Sequence, residues 1–317
     1  MNVNLLGYRP WSGQRRGAWR TPWPIARVAL KMIFRQKLFW LLYVAALLNF
    51  LLFASGIYLF SQIDIEALTN NRATPQMIKF WTDMKMTLQK QLKLAGDAET
   101  YRNFFWFQGY FTMAILALAG ATLVGGDYQH GSLPFYLSKP IHRWHYLIGK
   151  MAAVAVFISM LTTVPAILLF IEGMLLSEEF VNAPWPLLWG VLGYGLTLTV
   201  VLSPLVVMLA SWLRRTVPLV MVWAGLLFFC RIVADVLVDL LRYDPHWRLI
   251  DLWNLMFVVG SWCLGVTPDR GGSERVRQLS LAARQPPVEA ALLVLAGVFV
   301  VCIVYLHLRI RAVEVVT

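Results

Sequence analysis

Six long apolar runs divide the chain, at 38–60, 104–125, 147–176, 185–213, 216–241 and 288–308. Each is long enough for the ~20 apolar residues that a helix needs to cross a bilayer. The polar stretches between them are unequal. Residues 61–103 are polar and helix-prone, residues 126–146 form a shorter link, and 242–287 is a second long one. Within the last lies the apolar run Leu252 to Val266. As a helix it rises only about 22 Å, short of the ~30 Å hydrocarbon core. It reads as a re-entrant or interfacial helix, not a seventh span. The pattern predicts an all-α polytopic membrane protein: a cytoplasmic N-terminal segment over 1–37, then a six-span domain over 38–317.

Composition agrees. Of the 317 residues, 59% are apolar and 14% charged, against roughly 45–50% and about 25% in a soluble domain. That excludes a water-soluble globular enzyme, a disordered chain and a disulfide scaffold. Lys and Arg number 28 against 17 Asp and Glu, a net charge of +11. In a membrane chain such an excess points to anionic headgroups and to basic loops retained inside, not to nucleic acid. Eight basic residues precede the first span: Arg9, Arg15, Arg16, Arg20, Arg27, Lys31, Arg35 and Lys37. They place the N-terminus in the cytoplasm, and an even number of spans returns the C-terminus to the same side. The expected location is the plasma (inner) membrane, with 61–103 and 242–287 outside. Cys230, Cys263 and Cys302 form no metal-like cluster. The basic, Trp-rich start followed by a full-length span reads as an uncleaved anchor.

The entry segment has its own geometry. Pro22 and Pro24 suit a helix start, and Arg27, Lys31 and Arg35 then recur at four-residue spacing on one face. Ile25, Val28, Ala29, Met32 and Ile33 cover much of the remainder. An amphipathic helix in the headgroup layer fits this pattern. Trp11, Trp19 and Trp23 precede it as belt residues. A plain cytoplasmic extension of the first span is the simpler alternative.

The link 126–146 is too apolar for a solvated loop. Leu133, Phe135, Tyr136 and Leu137 stand beside Lys139 and Arg143, and Pro140 breaks the segment. A short cytoplasmic helix with such a face needs a cover, either the bilayer or a partner's groove. The stretch resembles the cytoplasmic signature of ABC-2 type transporter permeases. The features that match are Asp127 after the second span, Gly131-Ser132, the short helix Leu133 to Leu137, Pro140 to Arg143, and the Leu147-Ile148-Gly149-Lys150 entry to the third span. Pro134 departs from the family pattern, so the helix would start there. The resemblance implies a coupling helix seated in a separate ATP-binding subunit, with residues 130–139 in contact and Tyr128, Leu133, Phe135, Tyr136 and Leu137 as anchors. It further implies a second permease, either another copy or a homologue.

The chain contains no G-x-x-x-x-G-K-[ST], so nothing in it builds a phosphate cradle. By this reading the chain binds no cofactor, and ATP and Mg²⁺ belong to the partner. Polar residues within the spans are the other candidates. Arg231, Asp235 and Asp239 follow at four-residue spacing, with Arg242 three further, along one helix face. They form either a stripe facing the translocation path or twin permease, or a self-paired Arg231–Asp235 bridge near the outer interface. Glu172, near the outer end of the third span, has the same two readings. Asp235 and Asp239 lack the second acidic motif that a shared Mg²⁺ site requires. His130, His142 and His145, and Met77, Met84 and Met86, are weak as metal sets, and no catalytic residue or metal ligand is assigned. The expected function is an ATP-driven ABC-2 exporter's permease subunit, not an enzyme. A membrane-anchored structural or signalling subunit that moves no solute, and an intramembrane enzyme, are the rival readings.

Overall fold

The computed structural model describes residues 22–63, 74–87, 89, 93–120, 143–176, 185–213, 215–266 and 285–309. Among these residues every regular element is helical: α1 (Pro22–Phe34), α2 (Lys37–Gln62), α3 (Pro75–Met86), α4 (Ala98–Gly120), α5 (Arg143–Leu161), α6 (Thr163–Leu176), α7 (Trp185–Leu213), α8 (216–240), α9 (Leu252–Cys263) and α10 (Val288–Arg309). Five stretches are long and apolar enough to cross a membrane: Lys37–Gln62, Trp144–Leu176, Trp185–Leu213, Val217–Leu240 and Val288–Arg309. They correspond to the first, third, fourth, fifth and sixth apolar runs of the sequence.

The second run lies in α4, which starts earlier than its apolar residues do. Asp97 caps it: Oδ1 accepts from Thr100 N at 2.9 Å and from the Thr100 hydroxyl at 2.8 Å. The Thr100 hydroxyl accepts from Gly96 N at 3.1 Å, at a backbone φ of +83° that glycine adopts freely. The cap brings Tyr101 and Arg102 into the helix and buries both, where the apolar pattern had left them in an outer polar segment.

α1 is three-faced. Ala26, Ala29 and Ile33 are buried along α5, while Arg27, Lys31 and Arg35 are exposed beside exposed Trp23, Val28 and Met32. Gly149 in α5 permits the approach, since a Cβ there would lie 2.9 Å from the Pro22 carbonyl oxygen. The joint to α2 is held by Phe39, whose ring packs 5.3 Å from Phe34 and 5.6 Å from Phe157.

α5 and α6 form one interrupted crossing. Pro165 has no N–H to offer the Leu161 carbonyl. Gln108 Nε2 of α4 donates to that oxygen instead at 2.7 Å, and Asn49 Nδ2 of α2 donates to Gln108 Oε1 at 2.8 Å. A helix break that would leave a carbonyl unsatisfied at membrane depth is thus closed by amides from two neighbouring helices.

α7 is the centre, packed by α4, α5, α6, α9 and α10. α9 fits against it through glycines: a Cβ on Gly260 would lie 2.4 Å from the Tyr194 ring, and one on Gly190 would lie 2.7 Å from the Cys263 carbonyl oxygen. On its other side, Trp253 of α9 fills the space over Gly109 of α4. α8 is regular only in part. π-turns at Gly225–Phe229 and Val236–Leu240 flank the short α-helical piece Cys230–Asp235.

Candidate functional site

The stretch with the coupling signature lies outside the described residues. This covers Asp127, Tyr128, Gly131, Ser132, Leu133, Phe135, Tyr136, Leu137 and Pro140; Arg143 opens α5, and its side chain is likewise outside them. The residues of α8 and α6 are placed. Arg231 donates from Nη1 to the Tyr110 hydroxyl, and its guanidinium lies 4.6 Å over the Trp106 ring. Its Nε is 3.8 Å from Asp235 Oδ2, the i,i+4 pair expected from the spacing. Asp235 and Asp239 both face Arg248, from the 3₁₀ turn Pro245–Ile250: Arg248 Nη2 is 2.5 Å from Asp239 Oδ2 and 3.7 Å from Asp235 Oδ1. Arg248 is 8% exposed, so these two carboxylates at Nη2 are the charges that meet it, while its buried Nε has no partner among the described residues. Arg242 does not join them. The π-turn at Val236–Leu240 shifts the register, the helix ends at Leu240, and Arg242 follows exposed in a left-handed conformation with φ of 59°. Glu172 is half-exposed on α6, near the Tyr101 side chain of α4.

Asp251 completes the network. It caps α9, its Oδ1 accepting from Trp253 N at 3.0 Å and Asn254 N at 3.1 Å. Burial pushes its carboxyl up to about 6, opposed by those two N–H groups and by the positive charge of Arg231. Two buried or half-buried guanidiniums and three carboxylates thus tie α8, the 3₁₀ turn and α9 together.

A second feature was not visible as a set in the sequence. Arg102, Trp106 and Tyr110 recur at four-residue spacing on one face of α4. Arg102 lies over Phe257 of α9 at 5.8 Å, Phe257 meets Trp106 edge-on at 4.8 Å, and Arg231 lies over Trp106 at 4.6 Å. The spacing was a readable signal, masked because Arg102 sits among loop-like polar residues at the edge of the apolar run. Arg248 and Asp251 were hidden in the outer segment, where Asp-x-x-Asn before an apolar run was an available cap signal. Among the described residues there is no group of three or more His, Cys, Asp or Glu able to hold a metal; His145 is described, and His130 and His142 are not. The three cysteines are free.

The sequence pattern of the family described as "ABC-2 family transporter protein" matches residues 23–246. This chain belongs to that family. The match runs from α1 through the whole of α8 and stops at the 3₁₀ turn, so it spans the segment 126–146 and the acidic residues of α8. No curated protein matches the sequence. The ABC-2 family is a transmembrane transport component, and this member carries the multiple apolar helices of a multi-pass membrane protein. The polar network around Arg248 is built partly beyond the family match, since Arg248 and Asp251 follow residue 246.

Proposed function

We propose that the chain is the permease subunit of an ATP-driven ABC-2 exporter, working with a separate ATP-binding subunit and a second permease in the plasma (inner) membrane. The family match over 23–246 carries this reading. ABC-2 permeases normally work with an ATP-binding subunit, and the residues from Asp127 to Arg143 have the apolar and aromatic character that docking on one requires. The six-crossing count takes α4 as the second span. Its 23 residues give about 34 Å of rise, and its hydropathy is lowered by the polar side chains of its first turns. α9 is then a re-entrant helix held between α4, α7 and α10, and both termini are cytoplasmic. In this arrangement nucleotide-driven motion enters through the coupling segment 126–146 at the inner ends of α4 and α5. It emerges at the outer network of Arg231, Asp235, Asp239 and Arg248, where the path opens. The permease contributes two alternative packings, and the ATPase biases the choice between them.

The test is co-purification. Replacing Phe135 and Leu137 together by Asp is expected to abolish capture of an ATP-binding subunit while membrane insertion persists. Unchanged capture would defeat the coupling assignment.

A further inference from the structure

Beside α9, the buried Arg102 Nε, Tyr194 hydroxyl, Trp253 Nε1 and Arg248 Nε have no hydrogen-bond partner among the described residues. Two of them lie together. Arg102 rests on Phe257, and the Tyr194 ring rests on Gly260, one turn further along the same face of α9. On α4, Phe105 is one turn from Arg102 and stacks on Tyr194 with centroids 4.4 Å apart. The Arg102 charge acts directly on the Tyr194 hydroxyl, so the two groups share one neighbourhood between α4, α7 and α9. Arg102 is 7% exposed and Tyr194 0%. Among the described residues Arg102 has no carboxylate partner and no hydrogen bond, only the Phe257 ring.

The other buried guanidinium also has an unpartnered Nε, but it differs in having counter-ions. Arg248 is met by two carboxylates. A buried charge without a counter-ion is among the most destabilising features a fold can carry, and an aromatic face offsets only part of that. Among the described residues no acceptor with negative charge meets Arg102, and the side chain it rests on is a ring.

We propose that Arg102 and the Tyr194 hydroxyl form an oxyanion site in the outer half of the permease, taking the phosphate or carboxylate of an amphiphile whose apolar part lies against Phe105 and Phe257. The proposal deepens the transport reading and rests on it only for the apolar carrier. The structure shows the site closed, and the alternating states of a transporter open it.

The test uses the full chain purified in maltoside micelles and melted with three probes: 1-palmitoyl lysophosphatidate, 1-palmitoyl lysophosphatidylcholine of the same chain, and inorganic phosphate. The lysophosphatidate is expected to raise the melting midpoint by at least about 3 °C, and the zwitterionic control to leave it unmoved. Arg102→Gln should abolish that rise and Tyr194→Phe should reduce it. Without ligand, Arg102→Gln should melt at or above the parent, because it removes an unpaired charge; a purely structural arginine would give a lower midpoint. If inorganic phosphate alone reproduces the rise in an Arg102-dependent way, the oxyanion pair stands and its ligand is a free anion. No rise with either anion, or a rise retained in Arg102→Gln, overturns the site. No ATPase is needed, so this result and the Phe135/Leu137 result can fail separately.

Discussion

The most apolar 18-residue stretches of α7 and of α8 have nearly the same mean hydropathy, 2.1 and 2.2, yet 61% of the first and 22% of the second is buried within the protein. Hydropathy reports that a helix can enter a membrane. It does not report whether the helix will sit at the centre or the periphery. The two are held by different physics. α7 carries Gly190, Gly193 and Gly195 on the turns that meet α9 and α6, so neighbouring side chains and backbone approach its axis closely. α8 has Gly225 with nothing within 4 Å of where a Cβ would be. Its inward hold comes from Trp223 donating to the Met113 carbonyl at 3.1 Å, Arg231 on the α4 rings, and the Asp235 and Asp239 pairs with Arg248. Small residues make a dry seam of fixed spacing. Charges and aromatic rings make one that can exchange partners, and the two π-turns of α8 fall on either side of Arg231.

The largest effect should come from breaking the charged seam. Asp239→Ala leaves the Arg248 guanidinium with only the 3.7 Å contact to Asp235. Removing one member of a buried pair costs about 3–5 kcal/mol, which should lower the melting midpoint of the purified chain by on the order of 10 °C. Adding Arg248→Met removes the orphaned charge and should restore much of the loss. A double variant as weak as the single one would show that the ion pair is not what holds α8.

Asp251 sharpens the same contrast through pH. Its folded-state value of about 6 lies above its ordinary 3.8, so the folded chain binds this proton more tightly than the unfolded chain does. The stabilisation from the bound proton is complete below 3.8 and is lost as pH rises through about 6. A two-unit displacement corresponds to about 3 kcal/mol, and neighbouring charges that relax will reduce it. Asp251→Asn keeps an oxygen for the Trp253 and Asn254 amides and has no proton to lose. The parent's midpoint should therefore fall more between pH 4 and pH 7 than that of the variant. Parallel curves would assign the slope to other groups.

The sequence made the crossings legible because length and apolarity decide them. Five of the six apolar runs are helices of spanning length and hydropathy, and the short run after Asp251 is a helix of 12 residues. The spacing of Arg231 and Asp235 offered their pairing as one of two readings, and the two lie 3.8 Å apart. What could not be read were partners distant in the chain. Arg248 lies nine residues beyond Asp239 around a reversal, and Tyr110 lies 121 residues before Arg231. The start of α4 was hidden for a different reason. An apolarity criterion sets the boundary where greasy residues begin, whereas the helix begins where Asp97 and Thr100 satisfy its first amides. That displacement of a few residues decides whether Arg102 is a solvated loop residue or a buried cation.

The smallest expected effect compares the two seams at single methyl groups. Gly260→Ala places a Cβ 2.4 Å from the Tyr194 ring. That ring is fully buried and stacked on Phe105 at 4.4 Å, so it has no free direction in which to yield. Overpacking of this kind costs typically about 1–3 kcal/mol, seen as a drop of a few degrees in midpoint. Gly225→Ala on α8 meets nothing and replaces the poorest ordinary helix former by the best, a gain of up to about 1 kcal/mol. The two variants should therefore move the midpoint in opposite directions when melted side by side in one detergent. If both lower it, Gly225 is needed for the geometry of its π-turn, and the seam along α8 is as closely specified as the one along α7. If neither does, α9 is loosely docked, and α7 owes its central place to apolar area alone.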